Sequence, residues 1–430
     1  MKENIQTTRL ENGLTILTET MPDVRSASLV FWFNKGSRHE PENLNGISHF
    51  IEHAVFKGTV KRSALEIAVE IDRLGGNFDA FTSHETTGFG IKVVDKQLPQ
   101  AFDLLADMLA NPRFDARELK REQRVIIEEM KMVEDTPEEF LGEIFQKSFF
   151  PNHALGLPIE GTRKTVRGFN REAASKYHAQ IFQPENLVIA AAGHVEHAEI
   201  ENLADKIFKV QYSKFKVQTL NTEPETLNSP SLSTPIILRK KHELEQAHLI
   251  IAAPWIRGKS EKRYAAHLLE SIFGSGTSSR LWQTIREKRG LAYSVGASGM
   301  SFEDCGVFSI YAATSPEKLG EAIDLSIAEL AKIKNSGVSE DELQLAKDQA
   351  NASILLGLED SGVRAGNLAQ QEITHGKTIP LEETLQKIEA VAAEDIQQLA
   401  AEFFQTEKIA LAALGNLNGL KVERERLNVD

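Results

Sequence analysis

The chain has 430 residues, 41% of them hydrophobic and 26% charged, with a formal net charge of −13. That length exceeds what one hydrophobic core usually supports and predicts two domains of about 200 residues each. The acidic balance argues against nucleic acid as a partner, and no apolar run approaches the length needed to span a bilayer.

The predicted elements begin with a hairpin, 7–10 and 14–18, joined by the turn Glu11-Asn12-Gly13. Segment 27–33 is a second strand candidate. Across 46–56 the apolar residues Ile47, Phe50, Ile51, Ala54 and Val55 recur at helical spacing. Another helix, 65–74, stops at Gly75-Gly76. A strand pair, 77–83 and 86–94, precedes amphipathic helices at 98–109 and 116–133, and 187–192 reads as a further strand. Segment 218–235 is rich in Thr, Ser, Asn and Pro without an apolar period, which marks an exposed linker. It separates a first domain, 1–217, from a second, 236–430.

The two halves carry the marks of an eroded duplication. HFIEHAVFKGT (49–59) lies over HLLESIFGSGT (267–277), and TTGFGIKVV lies over CGVFSIYAA with Phe89 on Phe308. The two offsets differ by one residue, so two well-separated segments share nearly the same register. Strands and helices alternate in blocks within each half. This predicts an α+β fold: two homologous domains, each a mainly antiparallel sheet with helices packed on one face. The second copy has Ser271 where the first has His53.

His49, Glu52 and His53 are the chemically informative residues. A helix sets positions i and i+4 one turn apart on one face, so His49 and His53 can direct two imidazoles at one metal ion with Glu52 beside them. The inverted order, H-x-x-E-H, is an inverzincin signature. Two solvated surface histidines would be the bland alternative, but the apolar residues between them make this helix mostly buried, where such groups need partners. Catalytic zinc usually takes three protein ligands and keeps a fourth position open. On helix 116–133, Glu122, Val125, Ile126 and Glu129 fall on one stripe, while Glu128 is rotated about 100° away. Glu129 is therefore the expected third ligand, and Glu122 the acceptor that orients a ligand histidine.

His49-x-x-Glu52-His53 followed by Glu129 in VIIEEM (125–130) resembles the insulinase/pitrilysin metallopeptidases, on the branch similar to the mitochondrial processing peptidase β-subunit and its bacterial relatives. The resemblance spans nearly the whole chain. It implies a zinc metalloendopeptidase that hydrolyses short or unfolded peptides, with zinc-bound water as nucleophile and Glu52 as general base. It implies that the strand Asn77, Phe78, Asp79, Ala80 and Phe81 pairs with an extended peptide, although Asp79 stands where the family pattern has Asn. From the residues alone this could equally be an ordinary edge strand protected by its charge. Arg286 and Tyr293 resemble a family pair that contacts the substrate backbone. Read without the family, they are a surface cation beside Glu287 and Lys288 and a strand aromatic. The resemblance further implies a homodimer, or a heterodimer with a metal-free paralogue, enclosing a chamber in which Arg286 and Tyr293 act in trans. A non-catalytic structural or peptide-binding subunit of the same fold is the alternative.

Other signals point elsewhere. Gly193-His194-Val195-Glu196-His197 follows a strand where a turn is expected, which predicts a surface position, and His84-Glu85 falls in a turn between strands. The single cysteine, Cys305, excludes an intramolecular disulfide framework. With no signal-like apolar stretch at the amino terminus, these features predict a cytoplasmic protein, or a mature form from which a leader has been removed.

Overall fold

Short strands, the central ones apolar almost throughout, give two separate sheets, and helices with one apolar stripe cover them. The computed structural model of the protein describes residues 3–209 and 229–430, so 218–228 of the expected linker lie outside the described residues. The chain forms two compact units. The first draws on residues up to Lys131, a stretch beginning at Leu157, and Leu355–Pro380; the second on Met132–Gly156, Ser229–Ile354 and Leu381–Asp430.

In the first unit the hairpin β1 (Ile5–Arg9) and β2 (Thr15–Thr20) turns at Gly13, whose φ of 90° suits glycine. With β3 (Ser26–Phe33), β4 (Asn77–Thr82), β5 (Thr87–Val94) and β6 (Leu187–Gly193) it makes a six-stranded sheet ordered β1-β2-β6-β3-β5-β4. Only the β2–β6 pair is parallel among these. One face carries Phe31, Phe33 and Phe89 and packs against α1 (Ile47–Ala54), α2 (Ala64–Leu74), α3 (Leu98–Ala110) and α4 (Ala116–Asp135). The opposite face presents Leu17, Val30, Val188 and Ala190 to Ala365, Leu368 and Ala369 of the helix Ser361–His375. Burial on both faces explains why β6 reads as an unbroken apolar run.

The second unit repeats this plan with five strands. β7 (Ile236–Lys240), β8 (Ala247–Pro254), β9 (Ala292–Ser301), β10 (Gly306–Thr314) and β11 (Ala410–Gly415) are ordered β7-β11-β8-β10-β9, again with one parallel pair, β7–β11, followed by antiparallel ones. The helix Arg263–Gly274 follows β8 as α1 follows β3. α5 (Pro137–Phe149) covers the other face, with Leu141, Phe145 and Phe149 against Ile250, Ala252, Ala412 and Leu414.

The α+β class and the two homologous sheets agree with the sequence reading. The arrangement of helices is richer than one covered face per sheet. Each sheet has a helix on its second face, and that helix comes from the other half of the sequence. A division at the linker thus describes the sheets but not the compact units. No helix among the described residues is long and apolar enough to cross a membrane.

Candidate metal centre

α1 owes its position to its amino terminus. Its N-cap, Gly46, has φ 93°, and a Cβ there would collide with the carbonyl of Glu160. The Glu40 carboxylate accepts from the backbone N–H of Gly46 at 2.6 Å and of Ser48 at 2.7 Å, satisfying donors that a helix start leaves open. Burial, opposed by these bonds, pushes Glu40 up to about 7. Ile47, Phe50, Ile51 and Ala54 face the core, and full burial of Phe50 and Ile51 contributes roughly 1.5–3 kcal/mol each. His49, Glu52 and His53 are left on the half-buried side.

There the structure brings together the expected donors. One ligand atom each from His49, His53 and Glu129 lie within 4.8 Å of one another. The imidazoles of His49 and His53 stand edge to face with centroids 4.7 Å apart. Nε2 of His53 faces Oε2 of Glu129 at 3.7 Å, while its Nδ1 meets Oε2 of Glu122 at 3.3 Å. Glu122 is buried, and its Oε1 pairs with Nζ of Lys57 at 3.0 Å. Glu128 points to solvent and pairs with Lys131 at 2.7 Å, as the stripe argument requires. Val125 does not follow that argument: it is 43% exposed. A carboxylate stripe reaching a polar cluster need not be apolar along its whole width.

Glu52, one position before His53, accepts a hydrogen bond from the Thr82 hydroxyl at 2.6 Å. It lines an open depression of about 240 Å³ together with His53, Phe56, Lys57, Phe78, Asp79 and Ala80. Burial raises the Glu52 pKa despite the opposing bond from Thr82 and the charge of His53.

The electrostatics suit a cation. Burial, then the charge of His53, pushes His49 down to about 4, so it is neutral and ready to donate a lone pair. Burial works to lower His53 as well, but the bond to Glu122 and the charges of Glu129 and Glu52 leave it raised. Glu122 is lowered: burial is outweighed by hydrogen bonds from His53 and Lys57. Nδ1 of His49 is buried without a hydrogen-bond partner. Two imidazoles and a carboxylate are a donor set that zinc takes, so these residues fit a divalent metal.

β4 is the edge strand of its sheet, with Asn77 and Asp79 exposed and Phe78, Ala80 and Phe81 half-buried. Phe78 packs edge-on against Phe56, centroids 5.1 Å apart. In the second unit Arg286 and Tyr293 meet. The Arg286 guanidinium lies over the Trp282 ring at 4.0 Å and the Tyr293 ring at 4.4 Å, and donates to the Tyr293 carbonyl. Tyr293 is 78% exposed. Sequence reasoning missed Trp282, Thr82 and Lys57. The signal for Lys57 was its spacing, four residues beyond His53.

One histidine departs from the expected surface placement, and a second is buried within the turn where it was expected. His197 is buried, held between Thr8 Oγ1 and Thr18 Oγ1 at 2.9 Å each, whereas His194 is exposed. His84 is buried beside Ser37 Oγ at 3.1 Å, and Glu85 pairs with the fully buried Arg38 at 2.7 Å. His197 opens the helix His197–Ala204 and His84 lies in the turn after β4, and hydroxyls from segments distant in sequence meet each ring, a tertiary feature with no local pattern.

Comparison with known proteins agrees with this geometry. The sequence model described as insulinase (peptidase family M16) matches residues 15–163, and that of the peptidase M16 inactive domain matches 168–350. An uncharacterised zinc protease of Bacillus subtilis, YmxG, is 38% identical over 94% of this chain and 96% of its own. The chain belongs to the insulinase family, peptidase family M16. An uncharacterised zinc protease of Streptomyces coelicolor is 34% identical over 98% of this chain and 91% of its own. The fold also matches a protease from Helicobacter pylori, with TM-score 0.86, 22% identity and coverage of 96% of this chain and 100% of that one. As a family member the chain fits the inactive label of its second domain, since Ser271 replaces the second histidine there.

Proposed function

We propose that the protein is a zinc-dependent endopeptidase acting on short or unfolded peptides, with its metal held by His49, His53 and Glu129. The observation that carries this reading is the convergence of those three donors beside Glu52, a carboxylate that is not needed as a ligand. The family membership and the names of the relatives support it. When bound, zinc supplies Lewis acidity, polarising a peptide carbonyl and making water a stronger acid.

The chain's own residues supply the rest. Glu52 faces the depression and takes a proton from the attacking water, later returning it to the leaving amine. Burial raises its proton affinity, which makes it a stronger base for the first of these transfers. Glu122 fixes the ring of His53 through Nδ1 and leaves Nε2 free to face Glu129. The exposed backbone edge of β4 offers hydrogen bonds to an extended peptide, which would lie along the depression. The reading includes two copies enclosing the site, with Arg286 and Tyr293 acting in trans on the substrate backbone.

The test is digestion of an unstructured peptide by the purified protein. Cleavage should be abolished by chelation, restored by zinc, and reduced about 10²- to 10⁴-fold by Glu52→Gln. Full activity in Glu52→Gln would refute the assignment of the base.

A further inference from the structure

One half-buried cation at this centre takes no part in the steps above. Lys57 ends the 3-10 turn Val55–Lys57 that continues α1. Its Nζ is 3.0 Å from Oε1 of Glu122, and Oε2 of Glu122 is 3.3 Å from Nδ1 of His53. Each carboxylate oxygen therefore has its own partner, and the Glu122 side chain is only 6% exposed. Nε2, on the far side of the same imidazole, faces Glu129. The contacts run in series from Lys57 through Glu122 and His53 to the metal position.

The charges around His53 explain why a lysine belongs there. Glu52, Glu122 and Glu129 contribute three negative charges, and Lys57 offsets one of them. The remaining two are the complement of a divalent cation. Asp79, at the same depression, is exposed on β4 and well solvated. The imidazole of His53 meets one oxygen of Glu122, and the ammonium of Lys57 meets the other. A carboxylate buried without a cationic partner is strongly unfavourable. Lys57 is the cationic partner of Glu122 that is not itself a candidate ligand.

We infer that Lys57 is a positioning residue of the metal centre, holding Glu122 against Nδ1 of His53 so that Nε2 is presented to a divalent cation. It acts through Glu122 and touches neither metal nor substrate in this role. The inference rests on the metal reading proposed above and deepens it. It makes the affinity for zinc depend on a side chain that is not a ligand.

Chelator competition on the purified full chain tests it, with zinc alone as the probe. Lys57→Met should weaken zinc binding about tenfold, the lower end for residues that support a ligand histidine. Lys57→Arg should restore most of the loss. In a Glu122→Gln background, Lys57→Met should add less than about twofold, because its route to His53 is already broken. Should Lys57→Met fail to fold in a thermal scan of the metal-free chain, Lys57→Gln carries the same expectation. Unchanged affinity in the lysine variant, or an undiminished loss in the Glu122→Gln background, would overturn the inference alone. A wild-type chain that binds no zinc would overturn the metal reading and this inference with it.

Discussion

α1 and the helix Arg263–Gly274 occupy equivalent places in the two sheets, yet their polar faces have diverged. On α1, His49, Glu52 and His53 look toward Glu122 and Glu129, and a cap from Glu40 holds the helix start. In the other helix the matching residues are His267, Glu270 and Ser271. His267 is exposed, Ser271 donates to Gln349 at 3.2 Å, and Glu270 accepts from Trp255 Nε1 at 2.8 Å. At the start of that helix the acceptor is a hydroxyl rather than a carboxylate: Ser260 Oγ accepts from the backbone N–H of Lys262 at 3.2 Å. At the place of Lys57 stands Ser275. The comparison teaches that the scaffold does not create the site. The same carboxylate position serves as a candidate base in one unit and as a satisfied structural acceptor in the other, according to what faces it.

The largest contrast to expect is between Glu52→Gln and Glu270→Gln. The first should lower peptide turnover about 10²- to 10⁴-fold while zinc stays bound; the second should leave turnover within about twofold. Equal losses in both would break the contrast. A smaller effect sharpens the account of Glu52 itself. Removing the hydroxyl in Thr82→Val should reduce kcat about tenfold with KM nearly unchanged, and Thr82→Ser should recover most of it. A change confined to KM would assign Thr82 to peptide binding instead. The smallest effect concerns stability. Glu270→Ala leaves the Trp255 N–H without its acceptor and should cost about 1–3 kcal/mol in urea unfolding, with zinc affinity untouched.

Much of this was legible in the sequence because it rests on local periodicity. The spacing of His49 and His53, and the choice of Glu129 over Glu128, follow from helical geometry alone. The duplication was visible in two short aligned segments and reappears as matching strand orders. What escaped depends on chain segments far apart. An amphipathic helix announces an apolar stripe but not the sheet it will cover, so the exchanged helices Pro137–Phe149 and Ser361–His375 could not be assigned. His197 looked like a surface residue because the threonines that satisfy it lie 179 and 189 positions away. Thr82 and Lys57 look ordinary until the fold sets them beside Glu52 and Glu122.

The central claim is that the first unit carries the whole ligand set of one chain's metal centre. Zinc content per chain tests it most directly, measured on the wild type, Glu129→Gln and Glu128→Gln side by side. The account predicts stoichiometric zinc in the wild type and in Glu128→Gln, and little or none retained by Glu129→Gln after dialysis. Zinc retained in Glu129→Gln but lost from Glu128→Gln would contradict it.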